Sequence, residues 1–180
     1  MRSLVLAGAG SGSERWYTKD FHKRSRDLAA QFEREGSAAV EQTYGRGPSR
    51  LQMELKDPRG FAEFSGQLAE HDAHGSAHMS RGFQGERPSL YDFESDIRRL
   101  GTPALIVVGD EDERCIEPGL FLKDAIPASG LMILPKAGHA VNLEEPDLFN
   151  QIVGDFLLRV DGGSWLPRDP RTRPPKPPFG

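Results

Sequence analysis

The run Thr102-Pro103-Ala104-Leu105-Ile106-Val107-Val108-Gly109-Asp110-Glu111-Asp112 decides how this chain is read. Between Ala104 and Val108 there is no polar residue and no alternation. A strand with one wet face alternates, whereas a parallel strand covered by helices on both faces reads as a continuous apolar run. A second run, Leu131-Met132-Ile133-Leu134, has the same character and leads into Pro135-Lys136-Ala137-Gly138-His139-Ala140-Val141-Asn142-Leu143-Glu144-Glu145-Pro146. In open α/β sheets, chemistry gathers outside the carboxyl ends of such strands. Asp112 stands just beyond one strand end and His139 just beyond the next, which fits that rule.

Working outward, residues 3–7 form another short apolar run, followed by Gly8-Ala9-Gly10-Ser11-Gly12-Ser13. Residues 16–35 read as a helix, with Phe21, Leu28, Ala29 and Phe32 on one face and Gly36 as its stop. Short helices are expected over 37–44 and 50–56, a break at Asp57-Pro58-Arg59-Gly60, and a helix over 61–71. Residues 82–88 read as a loop. Ser89 with Asp92 makes a capping box for a helix carrying Leu90, Phe93, Ile97 and Leu100. A helix over 118–126 and a strand over 130–134 come next. Pro146 suits the first position of a helix reaching Val160, with Glu144 and Glu145 at the positive end of its dipole. Residues 166–180 hold six prolines, which predicts a disordered tail with a polyproline segment at 174–178.

A length of 180 residues supports one domain with a real core. The composition, 37% hydrophobic and 28% charged, is that of an ordinary globular protein. The formal net charge is −4, and residues 167–180 contribute +3, which leaves −7 for the remainder. That balance argues against nucleic acid as a partner. The single cysteine, Cys115, allows no internal disulfide and reads as a small, partly buried residue rather than a nucleophile. No run is long enough to span a membrane, and no signal peptide is recognisable, so a cytoplasmic protein is expected.

The two strand-and-turn runs resemble the last third of the α/β-hydrolase fold. There the penultimate strand ends in G-x-x-D, here Gly109-Asp110-Glu111-Asp112, and the last ends in G-H with an N-L-E-x-P turn, here Gly138-His139 and Asn142-Leu143-Glu144-Glu145-Pro146. The resemblance implies Asp112 as a triad acid and His139 as the general base, in the family's chain order. Asp110 is the rival acid, and the family's spacing favours Asp112. The expected fold is therefore α/β: a partial α/β-hydrolase fold of about three parallel strands with flanking helices and a helical cap insertion. The corresponding division is a first strand and turn (1–13), a helical cap (14–88), a C-terminal core with the acid and histidine (89–163), and a Pro-rich tail (164–180).

The same resemblance implies what precedes these residues in a family member: five strands, an oxyanion-hole loop and a nucleophile. A nucleophile elbow needs G-x-S-x-G, and Ala9-Gly10-Ser11-Gly12-Ser13 has the wrong residue at both flanks. A dinucleotide fingerprint needs a third glycine where Ser13 stands. His71, His74 and His78 lie close in sequence, but Gly75 interrupts and no H-E-x-x-H is present, so unliganded histidines are the better reading. Neither a metal nor a cofactor is expected. The leading expectation is the C-terminal part of a serine-type hydrolase whose intact form acts on a small ester or acyl compound. The alternatives are a non-catalytic remnant, or a hydrolase whose missing half is a separate chain covering an exposed sheet edge.

Overall fold

The computed structural model describes residues 1–173. Three strands, β1 (Leu4–Ala7), β2 (Ala104–Gly109) and β3 (Ser129–Leu134), form one sheet in the order β1-β2-β3. Both pairings are parallel; β2 and β3 end level at Gly109 and Leu134, and β1 ends at Ala7, level with Val107. Parallel neighbours need crossover connections, and helices supply them. Between β1 and β2 run α1 (Thr18–Glu35), α2 (Ser37–Val40), α3 (Leu51–Lys56), α4 (Pro58–Ala69), α5 (Ala73–His78) and α6 (Glu94–Ile97). Helix α7 (Glu113–Ala125) joins β2 to β3, and α8 (Val141–Glu144) and α9 (Pro146–Asp161) follow. The architecture is three parallel strands with flanking helices, as anticipated.

All six residues of β2 are buried, which is what its unbroken apolar run demands. Ala104, Ile106 and Val108 pack with Cys115 and Leu122 of α7 and with Ile126. Leu105 and Val107 point the other way, onto Val141 and onto Phe156 of α9. β1 behaves differently. Its burial alternates, and Val5, level with Leu105, is 37% exposed. Helix α9 therefore covers β2 but not the same face of β1, and the outer side of β1 has no strand partner among the described residues.

Several local expectations are corrected. Helix α4 begins at Pro58 rather than Phe61, because Asp57 caps it, accepting the Gly60 N–H at 2.9 Å. The expected loop over 82–88 is in part a π-helical turn, Met79–Gln84. The helix expected over 90–100 is a 3₁₀ turn, Leu90–Phe93, capped by the Ser89–Asp92 box and followed by the short α6. Helix α7 starts at Glu113, so Pro118 lies inside it and removes one backbone bond. Pro118 is fully buried and fills the space beside Gly10, where a Cβ would lie 2.3 Å from it. Packing outweighs the lost bond there.

The start of the C-terminal stretch packs against the core. Trp165 stacks edge-on against Phe156, ring centres 4.7 Å apart, and its indole N–H donates to the Ala128 carbonyl at 3.0 Å. Gly130 leaves room for the indole, since a Cβ there would come within 2.5 Å of it. Residues 164–173 are thus tied to the core through Trp165, through the Arg168 N–H donating to the Pro127 carbonyl at 3.1 Å, and through Arg173 to Asp124 at 3.4 Å. The polyproline expectation at 174–178 lies outside the described residues. Trp165→Ala is expected to cost about 2–3 kcal/mol in urea unfolding, below the loss for a fully buried aromatic. A change under about 0.5 kcal/mol would mean that this segment does not pack.

Candidate active site

Two turns at the carboxyl end of the sheet build the site. The first leaves β2 at Gly109 and the second leaves β3 after Leu134. They are joined through the backbone: Asp110 N–H donates to the Leu134 carbonyl and Glu111 N–H to the Ala137 carbonyl, each at 2.9 Å. Glycine is required at 109, because a Cβ there would lie 2.1 Å from the Ala137 carbonyl oxygen and 2.3 Å from that of Gly138. Lys136 takes a left-handed conformation, φ 57°, to turn the chain back toward the sheet.

The histidine turn is held from beneath by Glu144, which is buried. Its carboxylate accepts the backbone N–H groups of Gly138 and of Ala140, the latter at 3.0 Å. The sequence suggested a helix-dipole role for Glu144; its position five residues after His139 was the available signal for this other task. From above, the Ser49 carbonyl accepts the His139 N–H at 3.3 Å, so the segment leading into α3 rests on the turn. Gln52 bonds Glu111, and Lys56 pairs with Glu145, extending that contact.

These supports bring His139 Nδ1 to 2.8 Å from Asp112 Oδ2. The Asp112 side chain is 6% exposed and the imidazole 41%. Nε2 makes no hydrogen bond among the described residues. A carboxylate that accepts Nδ1–H fixes the tautomer in which Nε2 carries the lone pair. The rival acid, Asp110, is exposed and accepts the Ala137 N–H at 3.2 Å, a turn-stabilising contact. Cys115, on the first turn of α7, is fully buried rather than partly buried as the sequence suggested. Its thiol donates to the Gly8 carbonyl at 3.3 Å and lies 3.9 Å from His139 Nδ1. Burial, and secondarily the Asp112 carboxylate, push the Cys115 thiol well above its ordinary range.

The glycine-rich turn after β1 closes the floor. Gly10 and Gly12 have φ of 106° and 83°. The Gly12 N–H is taken by Glu14 at 2.9 Å, and the buried Glu14 faces the Arg114 guanidinium at 3.7 Å. Ser11 does not have a positive φ; Lys136 is the non-glycine residue that does among those described. A filled amide and an unstrained serine give neither a phosphate cradle nor a nucleophile elbow. Sequence reasoning missed Glu14. His71, His74 and His78 are exposed and do not converge. The one group of three potential metal ligands among the described residues is Asp112, Cys115 and His139.

Comparison with known proteins extends this picture. No family model matches the chain. A protein of Agrobacterium fabrum that carries the name carbamate hydrolase RutD is 36% identical over 112 residues, 56% of this chain and 41% of that protein. The structure of MenH from S. aureus superposes with a TM-score of 0.80 at 19% identity, covering 89% of this chain and 60% of that one. The enol-lactonase from Burkholderia xenovorans LB400 superposes with a TM-score of 0.68 at 21% identity, covering 88% and 56%. This chain shares its fold with these α/β hydrolases.

The chain spans less than half the length of that curated relative, and a little over half of the two solved structures. Within this hydrolase-fold chain, no helix among the described residues is long and apolar enough to cross a membrane. The Glu144 anchor is open to a direct check. Glu144→Ala leaves two backbone N–H groups at the histidine turn without their acceptor, and is expected to cost about 2–4 kcal/mol in urea unfolding. The His139 imidazole ¹⁵N shifts should move with it; unchanged shifts and unchanged stability would remove Glu144 from this role.

Proposed function

We propose that this chain is the C-terminal part of an α/β hydrolase whose intact form cleaves a small ester or similar acyl substrate through a nucleophile–Asp112–His139 triad. The observation that carries the reading is the 2.8 Å contact of His139 Nδ1 with a buried Asp112, with the rest of the ring open to solvent. Asp112 accepts Nδ1–H and stabilises the imidazolium when it forms. Nε2 removes the proton of the nucleophile and later returns it to the leaving group. The helical segment between β1 and β2 serves as a cap, supported by the Ser49 contact on the histidine turn. A relative named for carbamate hydrolysis supports an acyl-type bond as the target.

The nucleophile and the oxyanion donors come from outside these 180 residues. Without them there is no covalent intermediate, and a large part of the rate enhancement is lost. The uncovered face and free edge of β1 support a place for further strands of the same sheet. The same edge favours a second reading, in which a separate chain supplies them.

The isolated chain is expected to turn over ester substrates little or not at all. Turnover that disappears in His139→Ala would overturn the claim that the nucleophile is supplied from elsewhere. The deciding experiment is the mass, N-terminal sequence and ester hydrolysis of the native protein captured from its source cells. The expected result is a species heavier than 19.9 kDa, or a complex with a second chain, that carries G-x-S-x-G. Its hydrolysis should fall about 10³-fold or more in Asp112→Asn and in His139→Ala. A lone 19.9 kDa chain without hydrolysis would sink the proposal.

A further inference from the structure

Asp112, Cys115 and His139 bring a carboxylate, a thiol and an imidazole to one point, with their donor atoms all within 4.8 Å of one another. Two of the three measured separations bear on what fits between them: 2.8 Å from Nδ1 to the carboxylate and 3.9 Å from Nδ1 to the sulfur. Ligands on a tetrahedral zinc-like ion, with bonds of about 2.0–2.3 Å, stand about 3.4–3.6 Å apart. Reaching that spacing requires the Nδ1–carboxylate contact to open by about 0.6 Å and the thiol to close in by about 0.3 Å. Asp112 and Cys115 are fixed three residues apart at the start of α7, so one helical turn presents two of the ligands. The imidazole is the exposed member of the three, at 41% against 6% for the Asp112 side chain and a fully buried Cys115.

Charge and ligand type narrow the occupant. A carboxylate and a thiolate together carry two negative charges, which a divalent cation balances in a buried place. Sulfur and imidazole nitrogen select a borderline-soft ion of the zinc type over magnesium or calcium. We propose that Asp112, Cys115 and His139 form a binding site for a thiophilic divalent cation, and that filling it removes His139 from acid–base work. On binding, the Cys115 thiol releases its proton to solvent. The imidazole keeps one proton but moves it from Nδ1, now bonded to the cation, to Nε2. Nε2 then has no lone pair with which to accept a proton. The loss of acid–base function rests on the triad reading above; the binding itself does not.

The test is titration of the full 180-residue chain with Co²⁺ as a spectroscopic replacement for Zn²⁺. One equivalent should bind with a thiolate-to-cobalt charge-transfer band, and Zn²⁺ should displace it. The chain has a single cysteine, so the band reports Cys115 alone. Cys115→Ser, checked for folding by circular dichroism, should lose the band. Cys115→Ser and Asp112→Asn should each weaken Zn²⁺ binding about tenfold or more, and His74→Ala should leave it unchanged. Absence of the band in the unaltered chain overturns the proposal, whatever the variants do. So does Zn²⁺ affinity that is unaltered in Cys115→Ser and Asp112→Asn. Neither readout uses hydrolysis, so a failed triad and a failed cation site give different results.

Discussion

The clasp between the two strand-end turns is the constraint on which the site depends. Gly109 has no side chain, so the carbonyls of Ala137 and Gly138 lie directly against the end of β2. The backbone bonds from Asp110 and Glu111 into the following turn then lock the two loops at fixed separation. Asp112 and His139 come from different elements, yet their distance is set by backbone geometry rather than by flexible side chains. Rigid support of that kind lets a carboxylate orient an imidazole without paying for the ordering each time.

Two buried acids do related work at opposite sides of this clasp. Glu144 gathers amides beneath the histidine turn, and Glu14 takes the Gly12 amide beneath the turn after β1. Each satisfies backbone donors that a tight loop would otherwise leave bare inside the protein. Arg114 lies over the Tyr17 ring, 3.8 Å from its centre, and partly balances Glu14. The result is a polar floor with its hydrogen bonds made, on which Cys115 and the imidazole edge can sit close together.

Much of this was legible in the sequence, for reasons that can be named. The unbroken apolar run of β2 reported its burial on both faces, and the G-x-x-D and G-H turns pointed to Asp112 and His139. What was illegible depends on contacts distant along the chain. Pro118 reads as a helix start by local rules, yet it sits inside α7 because Gly10 gives it space. Trp165 reads as part of a proline-rich tail, yet it completes the core through Phe156 and Gly130. Glu14 and Glu144 are ordinary surface residues by type, and only the fold brings them to orphaned amides. The closeness of Cys115 to His139 likewise required the β2 and β3 turns to be placed first.

The connectivity of the sheet has a kinetic side. β2, α7, β3 and α9 are consecutive, so their contacts close short loops. β1 must instead find β2 across roughly 100 residues of chain, and such non-local pairing is slow to form. It contributes four residues in register and is half open to solvent. In the isolated chain, without further strands on its edge, β1 is therefore expected to dock last and to come away first in a local opening. Its end carries Gly8, whose carbonyl holds the Cys115 thiol and whose backbone lies against the His139 ring. Transient undocking of β1 would uncover the thiol while leaving the Asp112–His139 pair in place, so hydrogen exchange at β1 and thiol labelling at Cys115 should share one rate.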